Sequence, residues 1–332
     1  MSTRVGINGM GRIGREYLRY ASTSTDLEVV AVNDIADLPT IARLLRHDST
    51  FGPFGKDVDV SGEAIVVDGR KIAVSAVREP SGLDWAAHGV EVVIESTGKF
   101  RTRDAAQAHL TAGAQRVIIS APGKGVDVTI VMGVNDDIYD HANHRVISNA
   151  SCTTNCVAPM VKVLHDAFGI ERGFMTTVHA YTNDQNVLDA PHKDPRRARS
   201  AAVNIIPTTT GAARAVGEVL PDLKGRLDGV ALRVPVVDGS LVDLAALLEV
   251  DVTVDDVNTA FQAAAQDGPL AGLLRYTTEP VVSTDVIGDA ASCVFDSGLT
   301  QAAGRLVKVF GWYDNEWGYT CRLADLTRLI AG

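Results

Sequence analysis

The sequence has 332 residues, of which 46% are hydrophobic and 22% are charged. This length exceeds what one hydrophobic core usually supports, so we expect two domains, and the composition excludes disordered and fibrous proteins. The formal net charge of −10 disfavours nucleic acid as the main ligand, because phosphate backbones select basic surfaces. No segment has the pattern of a signal peptide or a membrane span. We therefore expect a cytoplasmic protein without a membrane partner.

The cysteine content is low and excludes two further classes of protein. Four cysteines, Cys152, Cys156, Cys293 and Cys321, are too few for a disulfide scaffold. No C-x-x-C pair is present, so we expect no metal site. Cys156, Cys293 and Cys321 are predicted to be small buried hydrophobic residues.

Strand and helix patterns alternate through residues 1–149. A strand containing Val5 and Ile7 precedes a glycine-rich turn, a helix containing Tyr17, and a second strand at 27–32. Further strands are predicted at 64–67, 72–77, 90–94, 116–120, 128–133 and 146–149, with a helix at 103–112. This alternation predicts a doubly wound parallel sheet.

The pattern changes after residue 149. A helix is predicted from near Ser151 to Phe168, where Gly169 ends it. Long apolar alternations follow at 173–182, 229–236, 240–250 and 305–312, and a last helix is predicted at 315–330. These long strands predict an α+β domain with a mixed or antiparallel sheet. The polar loop at 183–204 is long enough to suggest a functional or interface role.

A glycine motif follows the first strand. Gly9, Gly11 and Gly14 match G-x-G-x-x-G, and Asp34 ends the next strand 20 positions after Gly14. The glycines permit close approach of a pyrophosphate to a helix N-terminus, and the carboxylate would bind ribose hydroxyls. A carboxylate there repels a 2′-phosphate, so this Rossmann-type unit predicts NAD rather than NADP.

The segment Ser148-Asn-Ala-Ser-Cys-Thr-Thr-Asn-Cys156 places Cys152 where a strand ends and a helix begins. A helix N-terminus stabilises a thiolate, which makes Cys152 a candidate nucleophile with a lowered pKa. His179 ends an apolar strand and is a candidate general base. The spacing alone leaves a structural histidine as the alternative.

Six motifs together resemble those of the glyceraldehyde-3-phosphate dehydrogenase family, from end to end of the chain. They are Ile7-Asn-Gly-Met-Gly-Arg-Ile-Gly-Arg15, Ser148-Asn-Ala-Ser-Cys-Thr-Thr-Asn-Cys156, Thr177-Val-His-Ala-Tyr-Thr-Asn-Asp-Gln185, Pro207-Thr-Thr-Thr-Gly-Ala-Ala213, Leu232-Arg-Val-Pro235 and Trp312-Tyr-Asp-Asn-Glu-Trp-Gly-Tyr319. The resemblance implies an NAD-binding domain at 1–149, a catalytic domain at 150–314, and a final helix at 315–332 that packs back on the first domain. It also implies a homotetramer, with the loop at 183–204 crossing toward a neighbouring subunit.

The resemblance implies a role for each matching residue. Cys152 would attack the aldehyde of glyceraldehyde 3-phosphate, His179 would take the proton, and inorganic phosphate would cleave the resulting thioester in a glycolytic or gluconeogenic reaction. The two phosphate groups would be held by the anion-binding set, which comprises Ser151, Thr153, Thr182, Arg197, Thr210, Gly211 and Arg233. NAD would be held by Gly9, Gly11, Arg12, Ile13, Gly14, Asp34, Arg78, Ser120 and Asn315.

Three positions depart from the family pattern. Ala190 stands where Leu is common in NAD-using members, and Ala is common at that position in NADP-using relatives. Pro195 stands where Leu is common, and Val237-Asp-Gly239 replaces small polar residues. We expect Asp238 to lie in a surface turn. These changes are interpreted as marks of a specialised isoform with altered cofactor preference or resistance to thiol-directed inhibitors.

Two other functions remain as alternatives. An erythrose-4-phosphate dehydrogenase would share the thiol, the base and the cofactor site, but it can release its thioester to water. The intact anion-binding set favours phosphate as the acceptor. A non-catalytic NAD-binding regulator, or an RNA-binding protein, would not need the thiol, the base and the anion-binding set together.

Overall fold

The computed structural model describes residues 2–331, and it divides the chain into two compact units. The first unit comprises the residues up to 130, residues 137–150 and those from 320 onward. The second comprises residues 131–136 and 151–319. Residues 131–136 therefore belong to the second unit, although the segments on both sides of them belong to the first.

The first unit is built on a nine-stranded sheet with the order β10-β11-β9-β8-β1-β2-β7-β6-β5. Its strands are β1 (Thr3–Asn8), β2 (Leu27–Asn33), β5 (Val58–Val60), β6 (Ala64–Val67), β7 (Arg70–Ser75), β8 (Val92–Glu95), β9 (Arg116–Ile119), β10 (Val128–Thr129) and β11 (Val146–Ser148), with a separate ribbon of β3 (His47–Asp48) and β4 (Gly52–Pro53). Its helices are α1 (Arg12–Ala21), α2 (Leu38–Arg46) and α3 (Arg103–Thr111), and most of α7 (Trp317–Ala331) also belongs to it.

All strand pairs from β10 to β7 are parallel, which confirms the predicted doubly wound sheet. Strands such as β8 are buried throughout because helices cover parallel sheets on both faces. The predicted strand at 128–133 is wrong in length, since β10 ends at Thr129. The chain then turns through Gly133, whose φ of +77° does not continue a strand.

The second unit contains an eight-stranded mixed sheet in which β13-β14-β12-β15-β19-β17-β16 are neighbours and β18 pairs with β19. Its strands are β12 (Ile170–Ala180), β13 (Ile206–Thr209), β14 (Leu227–Val234), β15 (Ser240–Leu248), β16 (Leu274–Thr277), β17 (Cys293–Asp296), β18 (Gln301–Ala303) and β19 (Leu306–Tyr313). Its helices are α4 (Cys152–Phe168), α5 (Ala212–Val219) and α6 (Val254–Gln266). The predicted mixed sheet is therefore confirmed.

Two properties of the whole described chain bear on function. Within residues 2–331, no helix is long and apolar enough to cross a membrane. The same residues contain no group of three or more histidine, cysteine or acidic side chains arranged to hold a metal ion.

Candidate active site

Helix α4 presents Cys152 at its first turn. Ser151 is the N-cap residue, and its hydroxyl oxygen accepts the backbone N–H of Thr154 at 3.0 Å. Ala150, just before the cap, has a φ of +54°, a conformation that costs energy for any residue except glycine. The strand-to-helix turn is thus sharp and strained, as in other sites where a turn presents a reactive side chain.

The thiol faces an imidazole. Cys152 Sγ lies 3.5 Å from His179 Nε2, and His179 is 4% exposed near the end of β12. The other ring nitrogen, Nδ1, lies 2.7 Å from the carbonyl oxygen of Ala180 and 2.6 Å from Arg233 Nη1. His179 and Arg233 are register partners on the adjacent strands β12 and β14, so the sheet itself sets this arrangement.

Burial controls the protonation of the pair. Burial, followed by the positive charge of Arg233, lowers the pKa of His179 from its usual 6.5 to about 3. Burial also raises the pKa of the Cys152 thiol, although Arg233 and the N–H of Thr153 act in the opposite direction. The sequence-based expectation of a lowered thiol pKa is therefore wrong, because burial outweighs the charge of Arg233 and the N–H of Thr153.

Tyr313 supports the pair from behind and was not identified from the sequence. Its buried hydroxyl lies 2.8 Å from the hydroxyl of Thr153 and 2.9 Å from that of Thr177. Its ring meets the His179 imidazole edge-on, with centroids 6.0 Å apart. The Thr153 hydroxyl is hydrogen-bonded to Tyr313 in this conformation, so Thr153 helps to hold the site together. The apolar alternation along β19 was the sequence signal that could have indicated a buried Tyr313.

The rest of the anion-binding set lies near the polar loop and α5. Arg197 donates through Nη1 to Asp184 and through Nε to Thr208, at 3.0 Å for the latter. Burial lowers the pKa of both His179 and Arg233, and the positive charge of Arg197 nevertheless lowers both further. The half-buried Thr182 follows β12, and the Thr210 hydroxyl accepts the N–H of Ala212. Gly211 begins α5 without a side-chain cap and faces open space.

The glycine motif occupies the carboxyl edge of the first unit's sheet. Gly9 has a φ of +98°, and a Cβ on Gly14 would lie only 2.0 Å from the carbonyl oxygen of Gly9. Gly11 gives α1 no side-chain cap and has nothing within 4 Å of an added Cβ. Asp34 accepts the N–H of Met10 at 2.7 Å, which brings the carboxylate beside the glycine turn. Strand β1 lies between β2 and β8, the point where strand order reverses in such sheets.

Comparison with known proteins identifies the family. Residues 3–103 match the model of the glyceraldehyde 3-phosphate dehydrogenase NAD binding domain, and residues 151–315 match that of the C-terminal domain. A glyceraldehyde-3-phosphate dehydrogenase of Streptomyces coelicolor is 58% identical over 99% of both chains. One of Geobacillus stearothermophilus is 57% identical over 100% of this chain and 99% of its own. The chain belongs to the glyceraldehyde-3-phosphate dehydrogenase family. The predictions of family, fold, enzyme class and NAD as cofactor are thereby confirmed.

The glycine turn fits the cofactor of this dehydrogenase family. Gly9 and Gly14 leave no room for a side chain, and Gly11 keeps the start of α1 open for a pyrophosphate. The other predicted NAD residues of the first unit are placed as follows: Arg12 is ion-paired with Asp48, Ile13 and Ser120 are half-buried, and Arg78 is exposed after β7. In the second unit, Asn315 is 5% exposed and accepts the Ser240 hydroxyl at 2.6 Å.

One departure from the family pattern has a different location from the one expected. Asp238 was predicted to lie in a surface turn, but it is 0% exposed, so that prediction is wrong. The segment from β14 to β15 turns inward because Gly239, with a φ of +82°, passes directly against the backbone of Ser283. Ala190 and Pro195 are exposed in the polar loop, and nothing in the structure explains them.

Proposed function

We propose that this protein oxidises D-glyceraldehyde 3-phosphate to 1,3-bisphosphoglycerate, with NAD as hydride acceptor and inorganic phosphate as acyl acceptor. The observation that carries the proposal is the cluster of Cys152, His179 and Arg233. The thiol contacts the imidazole, and the imidazole contacts the guanidinium, which can bind an anion. The roles of the individual residues are part of the proposal.

The first step is addition of the thiol to the aldehyde. The Cys152 sulfur forms a bond to the carbonyl carbon while its proton passes to His179 Nε2, 3.5 Å away. For Nε2 to accept the thiol proton, the neutral imidazole must carry its own proton on Nδ1. The Nδ1–H group then donates a hydrogen bond to the Ala180 carbonyl oxygen, 2.7 Å away. The protonated ring then donates from Nε2 to the oxygen of the hemithioacetal, with the N–H of Cys152 as the second donor.

Arg233 couples anion binding to this proton transfer. A guanidinium 2.6 Å from Nδ1 opposes a second proton on His179, and its charge adds to burial in lowering the pKa of the ring. A substrate phosphate bound by Arg233 would offset that charge and make the imidazolium less costly. The base therefore becomes effective when the correct substrate is present.

The second half of the reaction transfers the acyl group. NAD, when bound, would supply the hydride acceptor for oxidation of the hemithioacetal carbon to a thioester, while His179 holds the proton taken from the thiol. A phosphate oxygen then attacks the thioester carbon, the carbon–sulfur bond breaks, and Cys152 leaves as a thiolate. We assign both phosphate groups to the anion-binding set, in which Arg197 would exchange Asp184 for the anion.

NAD is preferred over NADP because of Asp34. Its carboxylate accepts the N–H groups of Met10 and Ala36, which hold it next to the predicted ribose site. A 2′-phosphate would meet that negative charge. We further propose that residues 1–149 form the NAD-binding domain, on which the helix at 315–332 packs, and that residues 150–314 form the catalytic domain.

We also propose a homotetramer in the cytoplasm. Neighbouring strands β12 and β14 expose Phe174 (71%) and Val230 (49%), and the segment around the polar loop exposes Val187, Leu188, Val203 and Ile205. Apolar surface of this extent on a sheet face is typical of subunit contacts. Light scattering after size-exclusion chromatography should give four times the mass of the chain, and Phe174→Asp should give smaller assemblies.

The proposed reaction is tested by NADH formation with glyceraldehyde 3-phosphate, in the presence and absence of inorganic phosphate. We expect strong phosphate dependence and no activity in Cys152→Ser. The same rate without phosphate would instead indicate thioester hydrolysis. In that case erythrose 4-phosphate is the next substrate to compare. A dehydrogenase whose thioester is hydrolysed by water does not need phosphate as an acyl acceptor.

A further inference from the structure

Ser240 is a fully buried serine whose hydroxyl the proposed reaction does not use. It is the first residue of β15, which lies between β12 and β19 in the sheet of the second unit. Strand β12 carries His179 near its end, and the chain reaches Asn315 two residues after the end of β19. The middle strand therefore places one hydroxyl between the segment of the candidate base and the predicted nicotinamide ligand.

The Ser240 hydroxyl accepts one hydrogen bond and donates another. The paired backbones of β12 and β15 end at Val178 and Leu241, and just beyond them the N–H of Ala180 donates to Ser240 Oγ at 3.1 Å. The hydroxyl donates its own proton to Asn315 Oδ1 at 2.6 Å. The opposite orientation of the amide would direct two donors at Oγ and leave the serine proton without an acceptor among the described residues. The two bonds together therefore fix which end of the Asn315 amide faces Ser240.

Asn315 is held at its backbone as well as at its side chain. The side chain of Asp314, the residue before it, accepts backbone N–H groups from Gly288 at 2.7 Å and Trp317 at 2.6 Å. Asn315 is 5% exposed, and its Nδ2 makes no hydrogen bond in the part of the chain that the structure describes. With Oδ1 occupied by the serine hydroxyl, Nδ2 is the donor that remains for a ligand.

The same hydroxyl holds the residue next to the candidate base. The carbonyl oxygen of Ala180 lies 2.7 Å from His179 Nδ1 and accepts Arg233 Nη1 at 3.0 Å. Because Ser240 binds the N–H of Ala180, it restrains the residue that carries this carbonyl group. A continuous series of hydrogen bonds thus runs from the imidazole through Ala180 and Ser240 to Asn315, and all four residues belong to the second unit.

We propose that Ser240 is a positioning residue for the cofactor: by donating to Oδ1 of Asn315, it leaves Nδ2 to donate to the carboxamide carbonyl oxygen of NAD. This deepens the proposed function, because it takes NAD as the cofactor and Asn315 as its nicotinamide ligand. A carboxamide offers one acceptor and one donor group, so the orientation of Asn315 decides which of the two is bound. The group recognised is therefore the carbonyl on the nicotinamide ring.

The test compares the affinities for two ligands by calorimetric titration. NAD contains the nicotinamide ring, whereas ADP-ribose has the same adenosine and pyrophosphate and lacks the ring. We expect Ser240→Ala to weaken NAD binding roughly three- to ten-fold and to leave ADP-ribose binding unchanged, because only the ring meets Asn315. Equal losses for both ligands, or no loss for either, would overturn the proposal, since Ser240 would then act on the fold as a whole or not at all.

A third ligand tests the orientation of the amide. The 3-acetylpyridine analogue of NAD keeps the carbonyl group on the ring but has a methyl group in place of the carboxamide nitrogen. Its binding should therefore fall in Ser240→Ala by about the same factor as the binding of NAD. Analogue binding that Ser240→Ala leaves unchanged, together with weakened NAD binding, would contradict the proposal, because Asn315 would then recognise the carboxamide nitrogen through Oδ1.

A double-mutant cycle tests whether Ser240 acts through Asn315. In protein that carries Asn315→Ala, the further change Ser240→Ala should not weaken NAD binding again, because the amide that Ser240 positions is absent. Additive losses would show that Ser240 acts by another route and would refute the proposal. If Ser240→Ala does not fold, Ser240→Cys keeps a weaker donor and acceptor and replaces it in every titration, with a smaller loss of the same pattern expected.

Ser297→Ala is the matched control. Ser297 is also buried in the second unit, and its hydroxyl donates to the carbonyl oxygen of Thr277 at 2.7 Å. It follows β17, which runs antiparallel to β19, so it lies toward the opposite end of the sheet from Asn315. This control should leave the ratio of NAD to ADP-ribose affinity unchanged, and a changed ratio would contradict the proposal, because the loss of any buried hydroxyl would then have the same effect.

The titrations need neither aldehyde nor phosphate. A failed dehydrogenase assay in a protein that binds NAD would therefore count against the proposed function and leave this test in force. A wild type that does not bind NAD would contradict the proposed function and this inference together.

Discussion

Arg233 Nη1 lies 2.6 Å from Nδ1 of His179, on the strand next to it in register. A guanidinium has no acceptor, so this contact is a hydrogen bond only when Nδ1 carries no proton. The ring also faces the Ala180 carbonyl oxygen, which favours the opposite tautomer. The two contacts thus favour different tautomers of the neutral imidazole, and an anion bound to Arg233 can change which tautomer prevails.

Arg233→Gln should separate the two roles of this arginine. Without the charge, the pKa of His179 should move upward from about 3 toward its usual 6.5, which histidine NMR during a pH titration would detect. In the wild type the ring should stay neutral down to about pH 3. Loss of a charged hydrogen bond to substrate should lower kcat/KM roughly 10- to 100-fold. Arg214→Gln removes an exposed arginine and should change neither quantity; an unshifted His179 titration in Arg233→Gln would refute the electrostatic account.

Tyr313→Phe should loosen the support behind the catalytic pair. The variant leaves the buried hydroxyls of Thr153 and Thr177 without their shared partner, at a cost of about 1–3 kcal/mol in the free energy of unfolding. Denaturant unfolding measures this cost. Tyr276→Phe, at a half-buried position in the same unit, should cost much less, and equal losses in both variants would show that the Tyr313 hydroxyl bonds add nothing.

Gly14→Ala should disrupt the glycine turn. Its Cβ would lie 2.0 Å from the Gly9 carbonyl oxygen, so the backbone must shift and NAD affinity should fall at least roughly ten-fold. Calorimetric titration with NAD measures the affinity, and thermal unfolding measures the strain. Gly11→Ala is the comparison for strain because its Cβ meets open space. A Tm for Gly14→Ala no lower than that of Gly11→Ala would contradict the account.

A buried polar network lies under the glycine turn. Glu95 accepts the Asn8 amide at 2.6 Å and the Thr97 N–H at 2.9 Å, and it lies 3.0 Å from His109 Nε2. The indole of Trp85 donates to the other nitrogen of His109 at 3.0 Å. This network joins the ends of β1 and β8, and the residues that follow β1 begin the predicted NAD site.

Glu95→Gln should therefore weaken both folding and NAD binding. An amide cannot accept all of these hydrogen bonds, so we expect a loss of about 2–3 kcal/mol in the free energy of unfolding and a higher Kd for NAD. Denaturant unfolding and calorimetric titration measure the two effects. Glu91→Gln changes a less buried carboxylate that accepts the Arg4 N–H, and it should have little effect. Unchanged NAD affinity in Glu95→Gln would limit the network to a structural role.

Features with a strong local pattern were predictable from the sequence. The G-x-G-x-x-G turn, the strand-to-helix step at Cys152 and the apolar period of β12, β15 and β19 each predict their element within a few residues. Helix α6 and strands β16 and β17 were not identified, although Thr253 and Asp256 form a capping box at the start of α6. Their buried faces depend on partners distant in sequence, such as the stacked rings of Phe261 and Phe295.

The electrostatics of the site were not predictable, because they depend on burial. Sequence position makes Cys152 look activated and Asp238 look exposed, yet burial raises the pKa of both groups. His109 is likewise fully buried and bonded to Trp85. In each case a tertiary contact far away in sequence decides the environment. Burial of Cys156, Cys293 and Cys321 was predicted and is confirmed.

The central claim is an acyl thioester on Cys152 that phosphate cleaves. The most direct measurement is mass spectrometry of the protein mixed with glyceraldehyde 3-phosphate and NAD in the absence of phosphate, followed by phosphate addition. The account predicts one acyl adduct per chain on the peptide containing Cys152, and its conversion to free thiol and acyl phosphate when phosphate is added. An adduct that forms on another residue, or one that persists unchanged in phosphate, would contradict it.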